Sequence, residues 1–264
     1  MLKWAGGKRW LVTGDRLPKP SKYNRYVEPF LGSGAVFFHL LPHAAILSDL
    51  NADLINLYKV VRDKPLEFEE RMRAHQVMHS KEYYYQIRGQ TCLEPEAAAA
   101  RFLYLNRTCW NGLYRVNKRG EFNVPIGTKQ TVVMDTDDFV AVSDALKKAK
   151  LRNDDFEAIV DETKEGDFLF VDPPYTVQHN FNGFLKYNEK IFSWQDQMRL
   201  RDALHRASER GVSIVLTNAD HESVRELYVS TFEYQKLARQ SILAGNSSKR
   251  GSTTEAIFTQ NLNL

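Results

Sequence analysis

The sequence predicts an α/β protein, a doubly wound Rossmann-like sheet with an inserted helical and β-hairpin segment. Three observations lead there. Short apolar runs at 26–30, 44–47, 168–171 and 213–217 alternate with helical stretches at both ends of the chain, as parallel strands joined by crossover helices do. The first run leads directly into Leu31-Gly32-Ser33-Gly34, where such folds hold a nucleoside. Residues from about 65 to 135 read instead as helices followed by one alternating stretch, which interrupts the βα rhythm.

In chain order, Tyr26-Val27-Glu28-Pro29-Phe30 reads as a strand, followed by the glycine loop and an apolar helix through Leu41. Ala44–Leu47 reads as a second strand ending at Ser48-Asp49, and Asn51 can cap a helix through Val61. Helices are expected over 65–75, 81–88 and 95–106. The stretch "NGLYRVNKRGEFNVPIG" then alternates about Lys118-Arg119-Gly120, as a hairpin does. Phe168–Val171 is a buried central strand by composition. A helix from Trp194 to Glu209 and a strand over 213–217 come next. The tail reads as two strands joined by a Gly/Ser/Lys loop.

Composition excludes several classes. The 264 residues are 43% apolar, enough for a sizeable core. No run approaches the length of a membrane span, and Met1–Lys8 lacks the apolar stretch of a signal peptide. No membrane partner is therefore expected. Cys92 and Cys109 are the only cysteines and form no ligand spacing, so neither a disulfide framework nor a metal site is expected. Net charge is +3, but between residues 101 and 131 Arg101, Arg107, Arg115, Lys118, Arg119 and Lys129 face only Glu121. Such a local excess suits a polyanion, although a solvated face can carry it too.

The chemistry-bearing signal is "DFLFVDPPYT", in which a buried strand runs into Asp172-Pro173-Pro174-Tyr175. Ligands of open α/β sheets bind beyond the carboxyl ends of the strands, so the Asp172 carboxylate faces the same crevice as the glycine loop. An exocyclic amine of a nucleobase is a poor nucleophile because its lone pair is delocalised into the ring. Two acceptors on its N–H bonds return that density. Asp172 supplies one, and the Pro173 carbonyl, fixed by two consecutive rigid residues, supplies the other. Tyr175 offers a flat face for the base. A purely structural turn would use the same residues. At the cofactor loop, Asp49 ends the second strand, where it can accept hydrogen bonds from a ribose diol. The third glycine of a dinucleotide motif is replaced by Phe37, which disfavours a nicotinamide oxidoreductase and suits a nucleoside without pyrophosphate, such as S-adenosylmethionine.

The ordered set Lys3-Trp4-Ala5-Gly6-Gly7-Lys8, Glu28-Pro29-Phe30-Leu31-Gly32-Ser33-Gly34, Ser48-Asp49 and Asp172-Pro173-Pro174-Tyr175 resembles the Dam-type (D12 class) DNA adenine-N6 methyltransferases. The resemblance covers the whole chain. It implies a methyltransferase core over 1–64 and 136–264, a target-recognition domain over 65–135, and duplex DNA as substrate with the target base flipped out. It implies cofactor contacts from Trp4, Ala5, Gly6 and Lys8, from Glu28, Pro29, Phe30, Gly32, Ser33 and Gly34, and from Asp49, Asp155, Phe156 and Asp172. Lys8 would pair with the cofactor carboxylate. Read from the residues alone, WAGGK is also compatible with a plain turn and Phe156 with a core position.

For DNA, the resemblance implies that Arg115 reads a guanine edge and that Leu113 and Pro125 touch a thymine methyl. Trp110 and Asn111 would wedge into the duplex, and Lys3, Asn117, Lys118 and Arg119 would add further contacts. Arg115 touching only phosphate, and Trp110 packing a helix end, are the plainer alternatives. The expected site is GATC or a relative. After Gly127, however, "TKQTVVMD" departs from the family pattern, which bears on the outer bases. A cognate restriction endonuclease is an expected partner if the enzyme belongs to a restriction-modification pair. The rivals are methylation of cytosine N4 and a DNA-binding protein of the same fold without turnover.

Overall fold

A computed structural model of the chain describes residues 1–91, 94–117, 119–177, 192–240 and 252–262. The elements follow in the order α1 (Arg9–Thr13), β1 (Tyr26–Glu28), α2 (Ala35–Leu40), β2 (Ala45–Ser48), α3 (Ala52–Asp63), α4 (Pro65–Met78), α5 (Lys81–Gly89) and α6 (Pro95–Thr108). A 3-10 turn at Trp110–Gly112 precedes α7 (Phe139–Leu146), β3 (Ala149–Arg152), α8 (Phe156–Asp161) and β4 (Phe168–Val171). Next come α9 (Trp194–Glu209), β5 (Ser213–Ala219), α10 (Glu222–Tyr228), β6 (Glu233–Gln240) and β7 (Ser252–Gln260). The chain divides into two compact units. The first comprises Met1–Arg9, Gly32–His43 and Asp49–Asn153, and the second Trp10–Leu31, Ala44–Ser48 and Asp154–Leu264.

The second unit is built on a sheet whose strands run β2-β1-β4-β5-β7-β6. β1 is parallel to β2 and β4, and β4 to β5, with Val171 opposite Leu216. β7 is antiparallel to both β5 and β6. Parallel neighbours need a crossover, whereas β6 and β7 follow one another and pair as a hairpin. The sheet is therefore mixed: the doubly wound parallel part is as expected, and β7, lying between β5 and β6, runs against both. All four residues of Phe168–Val171 are buried. Leu169 and Val171 share an apolar cluster with Ile159 of α8, Leu200 and Leu204 of α9, and Tyr228 of α10. α9 begins with a capping box in which Ser193 and Asp196 satisfy each other's backbone N–H groups.

The first unit is helical. α3 packs on α6 and α7, and α4 packs on the same two helices. Leu54, Leu57, Tyr58 and Val61 of α3 are buried, as are Phe68 and Met72 of α4 and Leu103 and Tyr104 of α6. Asn51 caps α3 by accepting from the Leu54 N–H, as the sequence suggests. Arg107, at the end of α6, makes a buried bidentate pair with Asp137 and also donates to the carbonyls of Val132 and Met1.

The expected hairpin is looser than its alternation implies. Two isolated antiparallel bridges, Cys109 to Ile126 and Val116 to Phe122, hold it. Pro125 cannot donate to a ladder, and the Asn117 side chain takes the N–H groups of Arg119 and Glu121, so local side-chain bonds replace strand pairing. The loop expected between β6 and β7 lies outside the described residues.

Candidate functional site

In the second unit, β1, β2 and β4 run parallel, so Glu28-Pro29-Phe30 and Asp172-Pro173-Pro174-Tyr175 leave the sheet at the same edge. Asp172 is half-buried and accepts a hydrogen bond from Thr217 Oγ1 at 2.7 Å. Pro173 is buried and Pro174 partly so. The Tyr175 hydroxyl donates to Glu255 Oε2 at 2.8 Å, which fixes the ring. Just beyond, Thr176 donates to the Phe192 carbonyl at 2.6 Å and its own carbonyl accepts from Gln197. Gln197 is itself bonded to Asn218 and Tyr228. Hydrogen-bonding groups thus hold the proline turn from both sides. Glu28 is buried and accepts from the Tyr26 hydroxyl at 2.9 Å. Burial first, and the Glu28 carboxylate second, push that phenol's ionisation well up.

The same unit carries an aromatic shelf. Phe30 lies nearly parallel to Phe156 at 5.4 Å, with Phe192 edge-on to it. Arg199 sits over the Phe156 ring at 4.8 Å and pairs with Asp155 at 2.8 Å. Asp155 also caps α8 by accepting from the Glu157 N–H. Phe156 is 6% exposed and belongs to the apolar cluster, while Phe30 is the more open ring of the pair.

In the first unit, Asp49 Oδ2 accepts the Gly32 N–H and Oδ1 the Asn51 N–H, both at 2.9 Å. Burial raises the Asp49 pKa, with these two donors working against it. Each carboxylate oxygen has two acceptor positions, so the pair retains capacity for a diol. Tyr58 donates to the Gly32 carbonyl at 2.9 Å. Gly32 has φ of +47°, and a Cβ there would stand 2.7 Å from Trp4 Cδ1. The position therefore needs glycine both for its backbone and for the indole against it. Gly34 takes the left-handed conformation at the N-cap of α2. Ser33 lies beside Gly7. Trp4 stacks on Tyr114 at 5.5 Å, and Tyr114 donates to Asp53 at 3.1 Å. Ala5 is exposed, whereas Lys8 is buried and donates to the Gly6 carbonyl at 2.7 Å.

The expected DNA-reading residues lie in this unit as well. Trp110 is 52% exposed, and its backbone N–H donates to the Pro125 carbonyl at 2.9 Å. Asn111 holds φ of +56° and is exposed. Arg115 is exposed and its Nε donates to Asn123 Oδ1 at 2.8 Å, which aims the guanidinium. Arg119, Pro125 and Lys3 are exposed, and Leu113 is half-buried. Partial burial, then neighbouring Lys129, lower the Lys3 pKa. Lys118 lies outside the described residues. Among the described residues, no group of three His, Cys, Asp or Glu side chains is arranged to hold a metal ion, and no helix is long and apolar enough to cross a membrane.

Several positioning groups escape sequence reading. Thr217, Asn218 and Glu255 read as strand residues, and Gln197 as a polar residue of a helix. The available signal was polar residues closing an apolar strand, Thr217-Asn218 after "SIVL", since buried polar groups are held by partners.

Comparison with known proteins adds the family. The D12 class N6 adenine-specific DNA methyltransferase family matches residues 4–242. The chain is 38% identical to the type II methyltransferase M1.LlaDCHI of Lactococcus lactis subsp. cremoris, covering 97% of this chain and 93% of that one. It is 35% identical to the type II methyltransferase M.MjaIII of Methanocaldococcus jannaschii, covering 94% of each chain. It is 34% identical to the DNA adenine methylase of Serratia marcescens, covering 91% of each.

Proposed function

The chain belongs to the D12 class N6 adenine-specific DNA methyltransferases, and on that premise we propose that it methylates adenine N6 in duplex DNA within GATC or a closely related site, with the target base flipped out of the helix. S-adenosylmethionine, when bound, supplies the methyl group as an electrophile on a sulfonium centre. The residues present fit such a cofactor by chemistry: Asp49 has acceptor capacity for a ribose diol, Phe30 offers a face for an adenine ring, and Lys8 carries a cation suited to a carboxylate.

The observation that carries the reading is the bond from Thr217 to Asp172 at the end of β4. It orients a carboxylate next to two prolines, so an acceptor is aimed before any substrate arrives. Asp172 and the Pro173 carbonyl accept the two N–H groups of the exocyclic amine and localise its lone pair. The nitrogen so activated would take the methyl group from the bound donor, which would leave as the thioether, and its surplus proton would pass to the Asp172 carboxylate. Tyr175, tethered by Glu255, stacks on the flipped base. This chemistry calls for no Lewis acid.

In this reading residues 65–135 recognise the target, while 1–64 and 136–264 hold the cofactor and perform the transfer. The setting is a prokaryotic or phage-infected cytoplasm, with a cognate restriction endonuclease as the partner if the enzyme protects its own genome. Incubation with methyl-labelled S-adenosylmethionine and duplex DNA, followed by digestion to nucleosides, should place the label in N6-methyladenine. Label in N4-methylcytosine, or none at all, overturns the proposal. Duplexes in which GATC is singly altered test the target.

A further inference from the structure

Asn106, near the C-terminal end of α6, is 1% exposed, and its side chain bonds to backbone outside its own helix. Its Oδ1 accepts the Lys3 N–H at 3.0 Å, and its Nδ2 donates to the Lys3 carbonyl at 2.8 Å. The same Nδ2 reaches the Gly112 carbonyl at 3.4 Å. One buried amide therefore ties the segment leading into Trp4 to the turn that presents Trp110 and Asn111. A second contact supports the tie, because the Trp4 indole stacks on Tyr114, just past that turn. Gly112 in turn lies against the Lys3 side chain, with a Cβ there only 2.6 Å from Lys3 Cδ.

We propose that Asn106 is a positioning residue that sets the N-terminal cofactor segment and the DNA-reading turn as one body, so that occupancy of the cofactor site organises the turn. This rests on the methyltransferase reading and deepens it. An amide suits the task because it satisfies the N–H and the C=O of one residue, Lys3, while a second carbonyl shares its N–H₂ group. Coupling of this kind is reciprocal by linkage.

Hydrogen exchange on the full chain reads this directly. In the wild type, S-adenosylhomocysteine alone, without DNA, should slow exchange of the Gly112 and Leu113 amides by about threefold or more, the scale of a modest coupling free energy. In Asn106→Ala that response should vanish and residues 1–8 should exchange faster. KM for S-adenosylmethionine should rise, and discrimination between cognate and singly altered duplexes should fall, each about tenfold. Asn56→Ala, which removes an exposed bond to the Pro95 carbonyl, controls for the loss of an asparagine and should leave all three readouts unchanged. If Asn106→Ala does not fold, the wild-type exchange measurement decides alone: Gly112 and Leu113 amides unmoved by the cofactor product overturn the proposal. A folded Asn106→Ala that loses thermal stability while keeping both KM and discrimination overturns it as well. Absence of N6-methyladenine from the wild-type reaction would instead count against the methyltransferase reading, which separates the two failures.

Discussion

Thr217 donates its hydroxyl to Asp172 Oδ1 at 2.7 Å, a bond between adjacent parallel strands whose register places Val171 opposite Leu216. The register, one residue further on, brings hydroxyl and carboxylate side by side. A carboxylate held this way keeps one direction in the absence of substrate, which is how an acceptor contributes to a transition state without reorganisation.

Thr217→Val keeps the shape and removes the donor. It should lower kcat by about 10–100-fold, corresponding to ~1.5–3 kcal/mol for a hydrogen bond to a charged group, while KM for S-adenosylmethionine stays near wild type. Asp172→Ala should abolish turnover with the fold intact, as circular dichroism would show. Methylation at the wild-type rate by Asp172→Ala would remove the proposed mechanism.

The cofactor loop yields a second expectation. Asp49 takes N–H groups from both Gly32 and Asn51, so Asp49→Ala loosens the loop and, on the proposed reading, removes the ribose acceptor as well. S-adenosylmethionine affinity should fall by ~1–3 kcal/mol, read by calorimetry. Gly32→Ala should fall comparably for another reason, since its φ is positive and its Cβ would meet the Trp4 indole. An unchanged Kd for Asp49→Ala would reduce that residue to a structural tie.

These residues also show what was legible from sequence. Parallel strands buried on both faces announce themselves as apolar runs, and so do strongly signalled helix ends, which is why Phe168–Val171 and Trp194–Glu209 were readable. α7, β3, α8 and α10 are short, at four to eight residues. The chain reveals them only through packing, as with Phe139 against Phe68 at 5.1 Å. Asp172 and Asp49 stand in motifs and were visible. Thr217, Gln197 and Asn106 act through partners distant in sequence, and only the fold brings those partners together.

A third expectation concerns pH. His75 stacks on Tyr104 at 4.7 Å and shares a hydrogen bond with the Tyr83 hydroxyl at 2.8 Å. Burial, with the charge of Arg71 second, lowers its pKa from 6.5 to about 4. The unfolded chain therefore takes up a proton here before the native one does. The stability contributed by keeping the ring neutral is present above about 6.5 and is lost as pH falls toward 4. His75→Phe keeps a stacking ring and removes the titration. Its Tm should decline less steeply than that of the wild type between pH 7 and pH 5, measured by thermal melts. Parallel melting curves for the two proteins across that range would show that His75 does not drive the acid sensitivity.

The last expectation concerns which bases are read. Arg115 and Arg119 are both exposed cations of the same loop region, so charge alone does not separate them. Geometry does: Asn123 holds Arg115 Nε at 2.8 Å, leaving the outer guanidinium N–H groups as a directed fork, the shape that suits guanine O6 and N7. For Arg119 the bond to Asn117 comes from its backbone N–H, and that bond leaves the side-chain direction open, as suits a phosphate contact. Arg115→Ala should cost ~1–3 kcal/mol on the cognate duplex and flatten discrimination at one base pair. Asn123→Ala, which frees the fork without removing its charge, should flatten the same base pair more weakly. Arg119→Ala should weaken all duplexes alike and reduce the salt slope by about one unit. The measurement is kcat/KM on the cognate and singly substituted duplexes at several salt concentrations. Uniform losses on every duplex for Arg115→Ala, with a matching drop in salt slope, would make it a phosphate contact. The reading of the target site would then have to rest on other residues of the loop.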